Sequence, residues 1–344
     1  MNGGDGAMPK KQKIAVVGLN NIGRIHCRSY QEHPEAELVA VCDLNRELAD
    51  QAANLFGVKA YYDVSSMLEQ EEIDIVSVAT GGVENGSHHY APAMAAISAG
   101  KSVLVEKPLS NDLSEAREMV SFARERGVRL GCNLNHRFTP MALKAKQWIE
   151  AGELGSLLFV NMKLTIGNPK DSSPWLHMRA LHPHSFDVLR YFAGEVKRVQ
   201  AFMTKAPGRS VWSTASINLE FASGAVGHLM GSYDMDNKHP IEACEVAGQR
   251  GRFVLDNVYE ALTLYRHGQE ELSAYRNPVL GGFAGFDATF RSRLDMFIRQ
   301  VQGEVTPERI EASGADGLAV QSLIEAAIQS QENGGKVIEL TGAS

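Results

Sequence analysis

Between residues 13 and 134, short apolar runs rich in Val and Ile alternate with stretches whose apolar residues recur at helical spacing. "KIAVVG" (13–18), "AELVAVCD" (36–43), "AYY" (60–62), "DIVSVAT" (74–80), "SVLVEK" (102–107) and "VRLGCNL" (128–134) read as strands. Helices are expected at Asn21–His33, Arg46–Phe56, Ser65–Gln70, His89–Ala99 and Leu113–Arg126, with Gly100 and Gly127 as stop signals. Strand–helix alternation of this kind predicts right-handed crossovers and a parallel sheet covered on both faces. Any ligand then belongs at the carboxyl ends of the strands.

The pattern changes after residue 134. A helix over Met141–Ala151 precedes long strand-like runs at 157–166, 196–205, 214–223, 224–234, 241–257 and 261–268, separated by Gly, Asn and Asp. "FASGAV" reads as a hairpin turn. Helices are expected at His184–Phe192, Ala288–Gln302 and Ala315–Glu332. This half predicts a large, mostly antiparallel open sheet with helices on one face, leaving the other face for a second subunit to cover.

Composition narrows the function classes. The chain has 344 residues, 44% hydrophobic and 22% charged, with a formal net charge of −7. That balance suits about two globular domains and argues against a nucleic-acid partner, which would favour a basic surface. Cys27, Cys42, Cys132 and Cys244 show no C-x-x-C spacing, which fits reduced thiols in a cytoplasmic protein. No apolar run reaches the length of a membrane span. Residues 1–10 read as a flexible leader.

The first strand ends in "GLNNIG" (18–23). A dinucleotide loop follows G-x-G-x-x-G, and here the middle glycine is Asn20. Gly18 supplies the turn, and the next helix offers free N–H groups at its start for a pyrophosphate. Asn20 suits this site, since Asn tolerates a left-handed backbone better than most residues and its amide can donate to a phosphate or the ribose. Asp43 closes the second strand at the position where a carboxylate accepts from an adenine-ribose diol, and it disfavours a 2′-phosphate. Arg46 either softens that preference or is a solvated helix-start arginine. The expected fold class is therefore α/β: an N-terminal Rossmann parallel-sheet domain (11–134) binding NAD, plus a C-terminal α+β domain (135–344).

"GKSVLVEKPLS" (100–110) places Glu106 and Lys107 at a strand mouth, before a proline that permits a cis peptide. Desolvation there suits a lysine to acid–base work, although a lysine after a strand is more often surface decoration. This segment resembles the E-K-P signature of the glucose–fructose oxidoreductase / inositol dehydrogenase / MocA family. Residues 80–101 resemble the segment before it, with His88 at the family histidine, and "NLNHRFTP" (133–140) resembles N-x-R-F-x-P. "HSFDVLRYFAGE" (184–195), the strands at 215–229 and 246–257, and the close at 323–340 follow in family order.

The resemblance implies a nicotinamide-dependent oxidoreductase acting on a sugar, cyclic polyol or glycoside. Lys107 would stand beside the reacting carbinol and His184 would carry the proton. Cofactor contacts are expected from Gly18, Asn20, Asn21, Ile22, Asp43, Arg46, Thr80, His88, Glu106 and Lys107. Many relatives have Asp four residues before the histidine, where this chain has Ala180. Pro183 disfavours helix at His182, so His182 is expected in the preceding loop, as a substrate contact or a cap. Asn135 and Arg137 either wall the cleft or, for Arg137, form an ion pair. Asp187 bonds substrate or holds its helix. Trp175 stacks on a sugar face or fills the seam between domains. The histidines lack metal-site spacing, so no metal is expected. Two other functions remain open: NAD-assisted glycoside processing through a transient ketone, and a sugar- or nucleotide-sensing regulator on the same fold. A homodimer or homotetramer through the second sheet is expected.

Overall fold

The computed structural model describes residues 11–238, 241–257, 260–276 and 283–340. The leader at 1–10 and most of the loop after residue 276 lie outside these.

The first sheet has six parallel strands: β1 (Gln12–Val17), β2 (Ala36–Cys42), β3 (Lys59–Tyr61), β4 (Ile75–Val78), β5 (Ser102–Val105) and β6 (Leu130–Cys132), in the order β3-β2-β1-β4-β5-β6. All four residues of β4 and of β5 are buried, as expected for strands covered on both faces. Between them run α1 (Asn21–Gln31), α2 (Arg46–Phe56), α3 (Val64–Gln70), α4 (Tyr90–Ser98) and α5 (Leu113–Glu125). Their ends follow local chemistry. Asn45 accepts from Glu47 N and Leu48 N to start α2, and Gly57 ends it at φ 69°. Asp112 accepts from Ser114 N to start α5. The chain reverses direction across the sheet between β1 and β4, which opens a crevice at their carboxyl ends.

A 3₁₀ turn (Asn135–Phe138) and α6 (Pro140–Glu150) lead into the second sheet. Its strands are β7 (Leu157–Thr165), β8 (Val196–Thr204), β9 (Thr214–Phe221), β10 (Val226–Ser232), β11 (Glu242–Gly248), β12 (Gly251–Asp256), β13 (Ala261–Arg266), β14 (Leu272–Arg276) and β15 (Ile338–Glu339). They run in the order β14-β13-β12-β11-β7-β10-β9-β8-β15. Every pairing is antiparallel except β7 with β10, and the β9–β10 hairpin turns at Gly224, φ 88°. Alternation along β9 buries Ala215, Ile217, Leu219 and Phe221 against the helices.

Three more helices complete the chain: α7 (Leu176–Ala193), α8 (Phe283–Arg299) and α9 (Gly314–Glu332), the last opened by a Ser313–Asp316 capping box. α7 begins earlier than its apolar pattern suggested and runs through Pro183. His182 therefore lies inside the helix, not in a preceding loop. The proline is tolerated because the burial of both flanking turns outweighs the lost backbone bond. α8 packs Leu294, Phe297 and Ile298 against Ile14, Val16 and Leu104 of the first sheet, so the C-terminal half also contributes to the core of the N-terminal half.

Candidate active site

The crevice at the carboxyl ends of the first sheet is a cleft of about 660 Å³. Three strand ends of the first sheet build one wall: Asn20–Ile22 after β1, Ala79–Gly82 after β4, and Glu106–Lys107 after β5. Asn85 and Phe290 adjoin them, while Asn135, Lys170 and His184 form the opposite side.

The β1 turn is fixed by contact. Gly18 sits at φ 90°, and a Cβ there would lie 2.5 Å from Thr80 N. A Cβ on Gly23 would lie 1.8 Å from Gly18 O. These two glycines let β1, α1 and the end of β4 meet. Asn20 is different: it is extended (φ −68°, ψ −173°) and makes no side-chain cap bond. The tolerance of Asn for a left-handed backbone is not called on at Asn20, because Gly18 takes the positive φ two residues earlier. Asn20 and Asn21 are exposed to the cleft at the start of α1, where free N–H groups favour an anion. Asp43 accepts from Leu19 N at 2.8 Å and Asn45 N at 2.9 Å, tying the turn to the end of β2. Each of its oxygens keeps a lone pair for a further donor. The turn, helix start and carboxylate fit a dinucleotide.

Other expected cofactor residues divide. Thr80 lines the cleft and donates to His88 O at 2.8 Å. His88 itself is exposed and outside the cleft lining. Its neighbour His89 is buried, with ring nitrogens facing Pro108 O (2.7 Å) and Thr80 O (2.5 Å). Arg46 stacks on Tyr62, 4.1 Å from the ring centroid, away from the cleft.

Glu106 and Lys107 rest on a buried polar chain. Tyr30 OH donates to Ser77 Oγ (3.3 Å), Ser77 Oγ lies 2.8 Å from His26 Nδ1, and His26 Nε2 lies 3.0 Å from Glu106 Oε1. Asn133 Nδ2 also donates to that oxygen. Burial opposes the charge of Glu106, but His26, Lys107 and Asn133 outweigh it and hold the carboxyl below its usual range. The Lys107–Pro108 peptide is cis. Burial pushes the Lys107 ammonium below its usual range against the pull of Glu106. Lys107 Nζ donates to Ala180 O at 2.9 Å. At the position where the family resemblance led to an Asp side chain, this chain offers the backbone carbonyl of Ala180.

His184 faces Lys107 across the cleft, its ring stacked on His136 with centroids 4.0 Å apart and planes 5° from parallel. Burial, then His136, Lys107 and His182, hold it well below the usual histidine range, so it is neutral at neutral pH. Asn135 Nδ2 donates to Thr289 Oγ1 at 2.6 Å, leaving Oδ1 without a hydrogen-bond partner among the described residues.

The remaining expected substrate residues do not reach the cleft. Arg137 forks onto Asp187, with Nε 2.8 Å from Oδ2, and stacks on Tyr191. Both members are buried, because the pair ties the 3₁₀ turn to α7 and leaves no face for a ligand. His182 is fully buried, its Nε2 3.0 Å from His177 Nε2 and its Nδ1 3.0 Å from Ser185 Oγ. Trp175 stacks on Trp212 at 5.9 Å, not on the cleft. Among the described residues, no cluster of three or more His, Cys, Asp or Glu could hold a metal ion. No described helix is long and apolar enough to cross a membrane.

Sequence reading missed Lys170, Asn85 and Phe290. Lys170 stands on the loop before α7, which Ser172, bonded to Val83 O at 2.6 Å, and Ser173, bonded to Glu84, draw over the cofactor wall. Arg179 fastens the same seam to Glu84 and Glu325 at 2.8–2.9 Å. No local spacing signals these long-range contacts.

The chain is 28% identical to a myo-inositol 2-dehydrogenase of Thermotoga maritima, covering 93% of this chain and 96% of that one. It is 25% identical to a D-apiose dehydrogenase of Paraburkholderia graminis, covering 96% and 90%. An inositol dehydrogenase homologue of Azotobacter vinelandii, solved with NADH and myo-inositol, superposes with a TM-score of 0.83 at 22% identity, covering 96% and 98%. The NAD-binding Rossmann domain of the oxidoreductase family GFO_IDH_MocA matches residues 12–134, and the GFO/IDH/MocA C-terminal domain matches residues 142–254. With a glycine turn, an E-K-P strand end and a histidine-bearing helix around one cleft, the chain belongs to the GFO/IDH/MocA family of NAD-binding oxidoreductases.

Proposed function

We propose that the protein oxidises a secondary alcohol of a sugar, cyclic polyol or glycoside, with His184 as the proton acceptor and Lys107 orienting the reacting oxygen. The observation that carries this reading is that Lys107 and His184, far apart in sequence, face the same cleft as the Asn20–Ile22 turn. NAD, when bound, supplies the hydride acceptor. Asn20, Asn21 and Ile22 at the start of α1 would hold its pyrophosphate and Asp43 its ribose diol.

The residues suit the proton half of the reaction. Burial keeps His184 free of its proton, so it can accept one from the alcohol. Lys107 has three donors and spends one on Ala180 O, which leaves two for a substrate oxygen. As the alcohol proton moves to His184, Lys107 stabilises charge developing on that oxygen. The open Oδ1 of Asn135 can take a neighbouring hydroxyl. The names of the Thermotoga and Paraburkholderia relatives support a hydroxyl-rich substrate. The test is a panel of inositols, free sugars and glycosides with NAD, followed at the nicotinamide absorbance. NADH formation with at least one member is expected. Silence across the panel overturns the reading, and free sugar released without net NADH points to glycoside processing instead.

We also infer a homo-oligomer and a cytoplasmic setting. Phe202, Val226 and Met230 stand exposed on β8 and β10, and a second copy would cover them. The four cysteines are free and buried. Light scattering should find more than one chain per particle, and Phe202→Lys should lower that number.

A further inference from the structure

Next to His184, and outside the cleft lining, stands a pair that the reaction above does not use. His136 is mostly buried, and its ring is the one stacked on His184 at 4.0 Å. Beside His136 is Glu242, at the start of β11, with no solvent exposure. Glu242 Oε2 lies 3.1 Å from His136 Nδ1, within ion-pair reach but outside hydrogen-bond angles. Neither oxygen of Glu242 has a hydrogen-bond partner among the described residues, and neither does Nδ1 of His184. A histidine that works as a base commonly has its second nitrogen fixed by a carbonyl or carboxylate. His184 lacks that brace and has a stacked ring instead.

We propose that His136, anchored by Glu242, is a positioning residue that fixes the imidazole plane of His184 and keeps that ring ready to accept a proton. The inference rests on the reading of His184 as the base. The second sheet thereby reaches the chemistry: β11 carries Glu242, the 3₁₀ turn carries His136, and α7 carries His184. A carboxylate buried without solvent is unfavourable unless it is paired. Glu242 is kept next to His136 by strand register, since it lies opposite Leu164 of β7 on the face turned to the helices. The charged and titratable groups facing His184 are Lys107 from the β5 end, His136 from the 3₁₀ turn and His182 from its own helix. All three oppose its protonation, His136 most among them. Removing His136 should therefore raise the pH at which His184 takes a proton.

The test uses NADH-bound protein carrying ¹³Cε1-labelled histidine, with the His184 resonance assigned by its loss in His184→Asn. Its titration midpoint is compared in the wild type, in His136→Phe and in His136→Phe/Glu242→Gln. The Phe variant keeps a stacked ring, and the double variant avoids stranding a buried carboxylate. The midpoint is expected to rise in both variants by at least about half a pH unit, since His136 is the side chain that most opposes protonation of His184. Turnover in Glu242→Gln should fall on the order of 10-fold with KM little changed, a part of the roughly 10²–10⁴-fold that a general base supplies. The inference fails if neither variant moves the midpoint upward, including the case in which the ring stays untitrated while the protein is folded. It also fails if Glu242→Gln changes KM and kcat together. Full turnover in His184→Ala would instead overturn the reading of His184 as the base, whatever the His136 variants do.

Discussion

The two walls of the cleft were built from similar signals and ended differently. On the wall from the first sheet, Asn20–Ile22, Thr80, Glu106 and Lys107 all face the cleft. On the wall from the second half, Asn135 and His184 do so, while Arg137, Trp175, His182 and Asp187 turn into packed interior contacts. The first wall consists of loops at the ends of parallel strands, which have little choice of direction. The second consists of a long helix and a 3₁₀ turn, whose side chains point all round. A polar residue there can serve the cleft or the packing, and most serve the packing. In this molecule, being polar and near the junction is weak grounds for a substrate role, whereas standing at a strand mouth is strong grounds.

The sharpest test of this contrast is to remove one residue from each wall that does reach the cleft. Lys107→Ala and His184→Ala should each lower turnover by about 10²–10⁴-fold while NADH binding, read by fluorescence, stays within a few-fold. A loss below about tenfold in either would move the chemistry elsewhere.

Arg137→Ala should then behave as a structural change. Breaking a buried pair costs roughly 3–5 kcal/mol, because Asp187 is left as an uncompensated charge. Urea unfolding should show that loss, with KM near wild type for the folded fraction. A raised KM at unchanged stability would return Arg137 to the cleft.

The interior histidines give a third comparison, through pH. Burial lowers His177 to about 4 and His182 well below the usual range, against about 6.5 in the unfolded chain. Below about pH 6.5 the unfolded state therefore binds protons that the folded state refuses, and stability falls with pH until the folded values are reached. For His177 the loss between pH 7 and pH 5 is about 2 kcal/mol, at ~1.4 kcal/mol per pH unit. Denaturant titrations at the two pH values should show it, and a His177→Gln/His182→Gln double variant should flatten the dependence. An equal slope in both proteins would mean that these rings are solvated.

The smallest effect is expected at Asn20. Its backbone is extended and its side chain caps nothing, so both Asn20→Gly and Asn20→Val should leave NADH affinity within about threefold, under 1 kcal/mol. A large loss for valine alone would show that the cofactor passes within contact of this side chain.

Much of this was legible in the chain. Hydrophobic period separated the parallel half from the antiparallel half, since burial on two faces and on one face leave different patterns. Gly18 and Gly23 marked the turn, because only glycine allows the approaches to Thr80 N and Gly18 O. Pro183 misled the helix boundary, since a proline penalty is local and the burial that overrides it is not. His88 drew the role of a histidine beside the cofactor, yet the buried neighbour is His89, a one-residue difference that only packing resolves. Lys170, Phe290 and the His136–Glu242 pair carried no signal, because each acquires its place from a segment distant in sequence.

The sequence alone determined the strand ends, the glycine turn, the E-K-P mouth and the family they resemble, since these depend on spacing within about 25 residues. The tertiary structure decided which polar side chains face the cleft. It also decided that Ala180 serves Lys107 through its carbonyl, that the His136 ring stacks on His184, and that Glu242 stands beside His136. Direction on a helix is set by what packs against it, and those partners come from the other end of the chain.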